Sequence, residues 1–497
     1  MIVDDTAPEP PLDRAAAGFR SAIASHAVRF FCKVAGVVVL ARLVSPADHG
    51  LFAMVATVLF LLALFRDCGL GAAAIQATSL SEGQMTALWW THLGLGLVLA
   101  AIAFAVAPFA AAFYHDPRLV PLLGTASVSF ILTGINGWPR TLLQRELRFR
   151  ETNRIETLGA VLGTVTMIAA GLAGAGAYSF VGFLLASELA MTVATWRLCR
   201  WRPVTSADWT GLRPLAPTGL HLTGYNLLLY GLQQVDTLLM GRWFGAAALG
   251  HYNRAAQLLV QPMTHLAAPF SQVLVATLAR VGPASPDFVK QFRETTNAIA
   301  HFTLPIAVAC LLLPDETVRL ILGARWAESA PLLQWLAIGS AASLLTATTY
   351  ALCVASGNAA RLAPLTALAL AVTASFLWAG RDRGPVGLAA ALALANAGLL
   401  PVRLWWSSRG TPVGLRDWVR ALTGPLAAAG LFGAGLVLGN TLGADVAVVA
   451  RLALALALGA GSVALGAACF ARLRRELKTV ASHLPFMRRT AETSAPA

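Results

Sequence analysis

The chain has 497 residues, of which 57% are apolar or aromatic and only 12% charged, about half the charged share of a soluble domain. With a mean hydropathy of +0.67 it cannot supply the polar surface of a soluble fold. This excludes soluble, fibrous, disordered and disulfide-framework classes and leaves a polytopic membrane protein. The formal charge of +13 comes from 37 Lys and Arg against 24 Asp and Glu. In such a chain it reads as basic cytoplasmic loops, not as a nucleic-acid surface.

Residues 1–17 carry Asp4, Asp5, Glu9 and Asp13 among Pro8, Pro10 and Pro11. An acidic start is not a secretory signal, and a disordered cytoplasmic tail is predicted. Fourteen stretches are then apolar and long enough to cross about 30 Å of hydrocarbon as helices. They are 20–42, 50–70, 86–112, 119–139, 155–175, 177–199, 218–241, 247–278, 297–322, 331–356, 361–379, 384–407, 417–440 and 444–471. Pro262 and Pro269 predict a bend in the eighth.

With the N-terminus in the cytoplasm, 26 Lys and Arg fall in cytoplasmic segments and seven on the opposite side. That asymmetry fixes the orientation and supports an even number of spans, with both termini inside. The predicted fold is all-α and integral to the membrane. About fourteen transmembrane helices form two parallel six-helix lobes (18–199 and 218–407) joined by a cytoplasmic linker, 200–217. Two additional transmembrane helices (408–478) and a cytoplasmic tail (479–497) follow. No loop is large enough for an external catalytic domain.

The lobes carry an internal repeat. Residues 40–52 read LARLVSPADHGLF and residues 240–252 read MGRWFGAAALGHY. Arg42, Gly50 and Phe52 match Arg242, Gly250 and Tyr252 at a constant offset of 200. Six spans per copy make the copies parallel, related by an axis along the membrane normal.

No HExxH, GxSxG or phosphate-binding glycine loop occurs, and the expectation is not an enzyme. The six cysteines lack ligand spacing and read as small buried hydrophobes, with neither metal nor disulfide. The informative residues are ionisable groups inside spans, which are costly in lipid and face a cavity or a partner. Arg29 and Lys33 lie four apart and share a helix face, with His26. Only residues 34–41 separate Lys33 from Arg42, about 12 Å of helix, so both cations enter the membrane region. Arg254 and Asp236 lie in the eighth and seventh spans, with Asn226 and Gln233 nearby. Asp236 is expected to line the cavity and to pair with Arg254 or a coupling cation. Glu188 reads better as a helix–helix hydrogen bond than as a coupling group. At the repeat offset Arg29 and Lys33 fall on Leu229 and Gln233, and Asp236 and Arg254 on Gly36 and Met54. Charges that break the repeat point to cargo or coupling.

The stretches LARLVSPADHGLFAM, GLGAAAIQ (69–76), APFAAAFYHDPRLVPLL (107–123) and VDTLLMGRWFGAAALGHYNRAAQL (235–258) resemble the Wzx-type polysaccharide and lipopolysaccharide exporters of the multidrug/oligosaccharidyl-lipid/polysaccharide flippase superfamily. The resemblance covers roughly residues 20–360. One departure is Gln234, where the family usually has Asn two positions before the motif Asp. The resemblance implies two lobes around a central cavity that alternate between inward-open and outward-open states. It implies an undecaprenyl-pyrophosphate-linked oligosaccharide as cargo, no cofactor, and H+ or Na+ coupling. It also implies residence in the bacterial inner membrane, contact with membrane lipids and a polysaccharide polymerase as partner. Substrate contacts would fall to Arg29, Lys33, Arg254, Asn226 and Gln233, and coupling or gating to Asp236. A multidrug cation exporter and a peptidoglycan lipid-precursor flippase are the alternatives on the same scaffold.

Overall fold

The computed structural model describes residues 11–66, 80–209, 216–343, 345–443, 448–469, 474 and 476. Among them every regular element is helical. The predicted C-terminal tail, Cys68 and the GLGAAAIQ stretch lie outside the described residues. Nine stretches among the described residues are long and apolar enough to span a bilayer. The protein is an all-α, multi-pass membrane protein. Its large apolar side chains, such as Phe104, Phe109, Val165 and Leu465, lie exposed on the helix surfaces, as lipid-facing residues do.

The helices are α1 (Pro11–Leu43), α2 (Pro46–Ala63), α3 (Glu82–Tyr114), α4 (Leu119–Ala126), α5 (Val128–Arg145), α6 (Phe149–Leu172), α7 (Tyr178–Leu198), α8 (Ala216–Val281), α9 (Pro286–Leu312), α10 (Pro314–Ile321), α11 (Ser329–Ser343), α12 (Leu345–Ala355), α13 (Leu362–Gly380), α14 (Gly384–Ser408), α15 (Leu415–Leu442) and α16 (Val448–Cys469). Local chemistry sets their starts. Ser45 Oγ accepts the Asp48 amide at 3.2 Å with Pro46 in the first turn of α2. Ser81 and Gln84 form a reciprocal capping box on α3, and Ser285 caps α9 ahead of Pro286. Such caps are worth about 1 kcal/mol each.

Several expectations shift in detail. α1 begins at Pro11, inside the segment expected to be a tail. The stretch 119–139 is two helices that meet at Ser127, and 297–322 breaks at Leu313, where Pro314 starts a new helix. The seventh and eighth spans run as one 66-residue helix whose non-helical residue is Gly245, at φ 78° and ψ −175°. A left-handed φ is open to glycine at little cost. α8 stays helical through Pro262 and Pro269, so the break lies at the repeated turn and not at the prolines. In the other copy the break between α1 and α2 falls at Val44 and Ser45, the position equivalent to Gly245.

The chain folds as two compact units: Met1–Tyr230 with Gly245–Gly250, and Gly231–Phe244 with His251–Ala497. The first unit is cored by Leu88, Trp138, Leu142, Leu143 and Ile155, and by a second cluster of Leu40, Val44, Met167 and Phe180. The segment after α7 is tied back on α3: the Val204 amide donates to Thr86 Oγ1 at 3.1 Å and the Asp208 amide to the Gly83 carbonyl at 3.0 Å. The second unit is cored by Leu274, Leu278, Phe288, Phe292, Leu352 and Trp418. There the Phe292 and Trp418 rings meet edge-on at 4.7 Å.

The first unit also holds both copies of the repeated turn in contact. A Cβ at Gly50 would strike the Ala246 carbonyl, and one at Gly250 the Pro46 carbonyl. Pro46 and Ala246 are themselves equivalent at the 200-residue offset, so the contact is reciprocal. Burial repeats too: positions 49, 50, 51, 54, 55 and 59 are buried, and so are 249, 250, 251, 254, 255 and 259.

Candidate functional site

Two groups of ionisable residues inside helices, one in each unit, include the residues singled out from the sequence. In the first unit, Arg29 lies about 21 Å along α1 from Leu43 at 1.5 Å per residue. Arg140 and Glu156 flank the α5–α6 turn, about 8 Å before Arg145 and about 10 Å after Phe149 on the same measure. Arg29 Nη1 donates to Glu156 Oε2 and Arg140 Nη2 to Glu156 Oε1, so the carboxylate bridges two guanidiniums from different helices. A second Arg29 nitrogen, Nη2, lies 3.3 Å from His26 Nδ1. The three side chains keep 19% (Arg29), 31% (Glu156) and 34% (Arg140) of their surface exposed. Lys33, one turn further along α1, is exposed. Glu188 on α7 is half-buried and lies within electrostatic reach of Arg66 and Arg140. Within the helices, Arg29, Lys33 and Arg140 against Glu156 and Glu188 leave one positive charge in excess, and Arg66, just beyond the end of α2, adds a second nearby.

Asn226, in the first half of α8, is half-buried in this unit. Nearby, the Tyr230 hydroxyl donates to the Thr57 carbonyl of α2.

In the second unit, Gln233 is exposed and Asp236 half-buried. The Tyr252 hydroxyl donates to Asp236 Oδ2, and the Thr237 amide donates to Oδ1 at 2.8 Å. Arg254 is 6% exposed and donates from Nη1 to Gln257 Oε1 at 2.9 Å. A tyrosine hydroxyl thus holds the Asp236 carboxylate and a glutamine accepts from the Arg254 guanidinium. The buried Arg254 occupies the place held by buried Met54 in the other copy. Near it, His251 Nδ1 lies 3.1 Å from Ser329 Oγ, and its ring meets Trp326 edge-on at 5.4 Å.

Outside the spans, Asp116 in the α3–α4 loop is a perturbed acid. Arg118 Nη2 donates to its Oδ2 at 2.7 Å, and these hydrogen bonds hold the carboxyl below the usual carboxylate range.

Two functional candidates escaped the sequence reading, Arg140 and Glu156. Arg140 falls one residue past the stretch 119–139, and Glu156 in the first turn of the stretch 155–175, so each reads as the edge of a span.

Residues 39–331 match the family described as polysaccharide biosynthesis protein. The chain belongs to this family. It is 25% identical over 302 residues to the lipopolysaccharide biosynthesis protein WzxC of Escherichia coli (strain K12), covering 60% of this chain and 61% of that one. It is 26% identical over 297 residues to the teichuronic acid biosynthesis protein TuaB of Bacillus subtilis (strain 168), covering 59% and 61%. The matches thus span about three fifths of each relative's length. Among solved structures, the lipid II flippase MurJ in an inward closed conformation aligns at TM-score 0.69 and 14% identity, over 89% of this chain and 98% of that one. An inward-facing multidrug resistance MATE family transporter of the MOP superfamily aligns at TM-score 0.53 and 15% identity, over 81% and 99%. The chain shares their fold, and the resemblance to the Wzx-type exporters holds.

Proposed function

We propose that the protein is a flippase that carries an undecaprenyl-pyrophosphate-linked oligosaccharide repeat unit from the cytoplasmic to the periplasmic leaflet of the bacterial inner membrane. It works by alternating access, draws on an H+ or Na+ gradient, keeps both termini in the cytoplasm and delivers its cargo to a polysaccharide polymerase. The observation that carries this reading is the cationic cluster on a polysaccharide-family scaffold. The excess of positive charge in this cluster suits a pyrophosphate and opposes a drug cation. Two unit charges 4 Å apart interact by about 4 kcal/mol at an effective dielectric constant of 20. Guanidiniums match phosphoryl oxygens in geometry as well as charge.

In this reading Arg29 and Lys33 receive the pyrophosphate, and Arg254 supplies a further cation. Asn226 and Gln233 offer amides to the sugars. Asp236, held by Tyr252, is the coupling or gating carboxylate, since a short acid cannot reach the membrane surface as a long cation can. The test is transport of fluorescent undecaprenyl-pyrophosphoryl oligosaccharide in proteoliposomes, with lipid II and a cationic dye as rival cargoes. Movement of the oligosaccharide alone supports the reading, and preferential movement of either rival refutes it.

A further inference from the structure

Arg29 and Arg140 meet on a single carboxylate, Glu156, each guanidinium holding a different oxygen. Two guanidiniums converging on one anion are the geometry that also binds a phosphoryl group. The site therefore already contains an anion, supplied by the protein itself. It is not sealed: all three side chains remain partly exposed. Arg140 also lies within electrostatic reach of a second carboxylate, Glu188.

We infer that Glu156 is an internal competitor for the cargo's pyrophosphate, occupying Arg29 and Arg140 in the empty protein and giving way when phosphoryl oxygens arrive. This rests on the flippase reading above. A carboxylate brings one charge and two acceptor oxygens, whereas a pyrophosphate brings about two charges and more acceptors, so the cargo takes the pair. After the cargo leaves, Glu156 swings back and stops the two cations from recapturing it. The carboxylate lowers affinity and hastens release. Its removal has effects of opposite sign on binding and turnover. An ion pair that only holds α1 to α6 predicts neither effect, only lost stability.

The test uses the full-length protein in detergent micelles, titrated with geranylgeranyl pyrophosphate and, as the uncharged control, geranylgeraniol. Glu156→Gln is expected to tighten pyrophosphate binding about tenfold, the effect of one freed charged hydrogen bond. It is also expected to slow oligosaccharide transport in proteoliposomes. Glu156→Asp, which restores the charge on a shorter arm, is expected to fall between Glu156→Gln and wild type. Arg140→Gln is expected to weaken binding about tenfold by the same measure. Glu156→Gln binding no tighter than wild type, while Arg29→Gln binds more weakly, overturns the competitor role and leaves the flippase reading standing. No pyrophosphate binding by either wild type or Glu156→Gln overturns both. If Glu156→Gln does not accumulate, folded Arg140→Gln decides: unchanged affinity overturns the proposal.

Discussion

Gly50→Ala and Gly250→Ala set two opposite effects against each other. Inside a helix, replacing glycine by alanine ordinarily stabilises by about 1 kcal/mol, because glycine loses more backbone freedom on folding. At these two positions the added methyl would drive into the Ala246 and Pro46 carbonyls, which are backbone and cannot rotate away. The helices must part, at the cost of about 1–3 kcal/mol that overpacking carries, so steric repulsion wins and both variants are destabilised. Gly94 in α3 is the internal control, since nothing lies within 4 Å of a Cβ there. Gly94→Ala is expected to be neutral or stabilising. The double variant is expected to cost less than the sum of its parts, because the first methyl already opens the contact that the second needs opened. The assay is the soluble fraction recovered by size exclusion after heating purified protein in detergent. Gly50→Ala surviving heat as well as Gly94→Ala, or strictly additive losses in the double variant, would refute the reasoning.

Other expectations are independent of that contact. Arg29→Gln combined with Lys33→Gln is expected to weaken complementation of a flippase-null strain, with single Arg↔Lys exchanges milder; full complementation at normal expression removes both residues from the mechanism. Asp236→Asn is expected to reduce transport with normal membrane accumulation, and Tyr252→Phe, which removes a hydrogen bond worth about 1–3 kcal/mol, to reduce it less; loss of accumulation instead makes the pair structural. Cysteines placed at 143–152 should be labelled from the cytoplasm and those at 113–118 from outside, and labelling of Arg145→Cys from the periplasm alone inverts the topology. The Asp116 carboxyl titrates below its unfolded value of about 3.9, so its pairing stabilises above that pH and the benefit is lost as the pH falls through the lower folded value. Thermal denaturation of Asp116→Asn should therefore differ slightly from wild type at pH 6, and the difference should shrink as the pH falls below about 3.9, the effect being small because Arg118 is largely exposed.

Hydropathy alone made the helical, membrane-spanning nature of the chain legible, because a bilayer accepts few other structures. The repeat was legible too, since Gly50 and Gly250 are needed for a backbone contact that any side chain would block. Span edges were not. The predicted stretch 119–139 stops one residue short of Arg140 and 155–175 opens on Glu156's turn, whereas α5 runs on to Arg145 and α6 starts at Phe149, so both charges sit within helices and not at their ends. Partners were harder still. Tyr252 matched Phe52 as an aromatic ring, and nothing in that match shows that its extra oxygen would claim Asp236. Helical spacing pairs residues three or four apart, whereas the decisive contacts here join residues 16 and 127 positions apart.

The reciprocal contact of the two turns has a consequence for the origin of the chain. When Gly50 faces Ala246 while Gly250 faces Pro46, the surface is isologous: the same patch serves on both sides, as in a symmetric homodimer. A half-length ancestor bearing one such turn would have self-associated through it. Any substitution at the glycine would then have struck the interface twice, doubling its penalty.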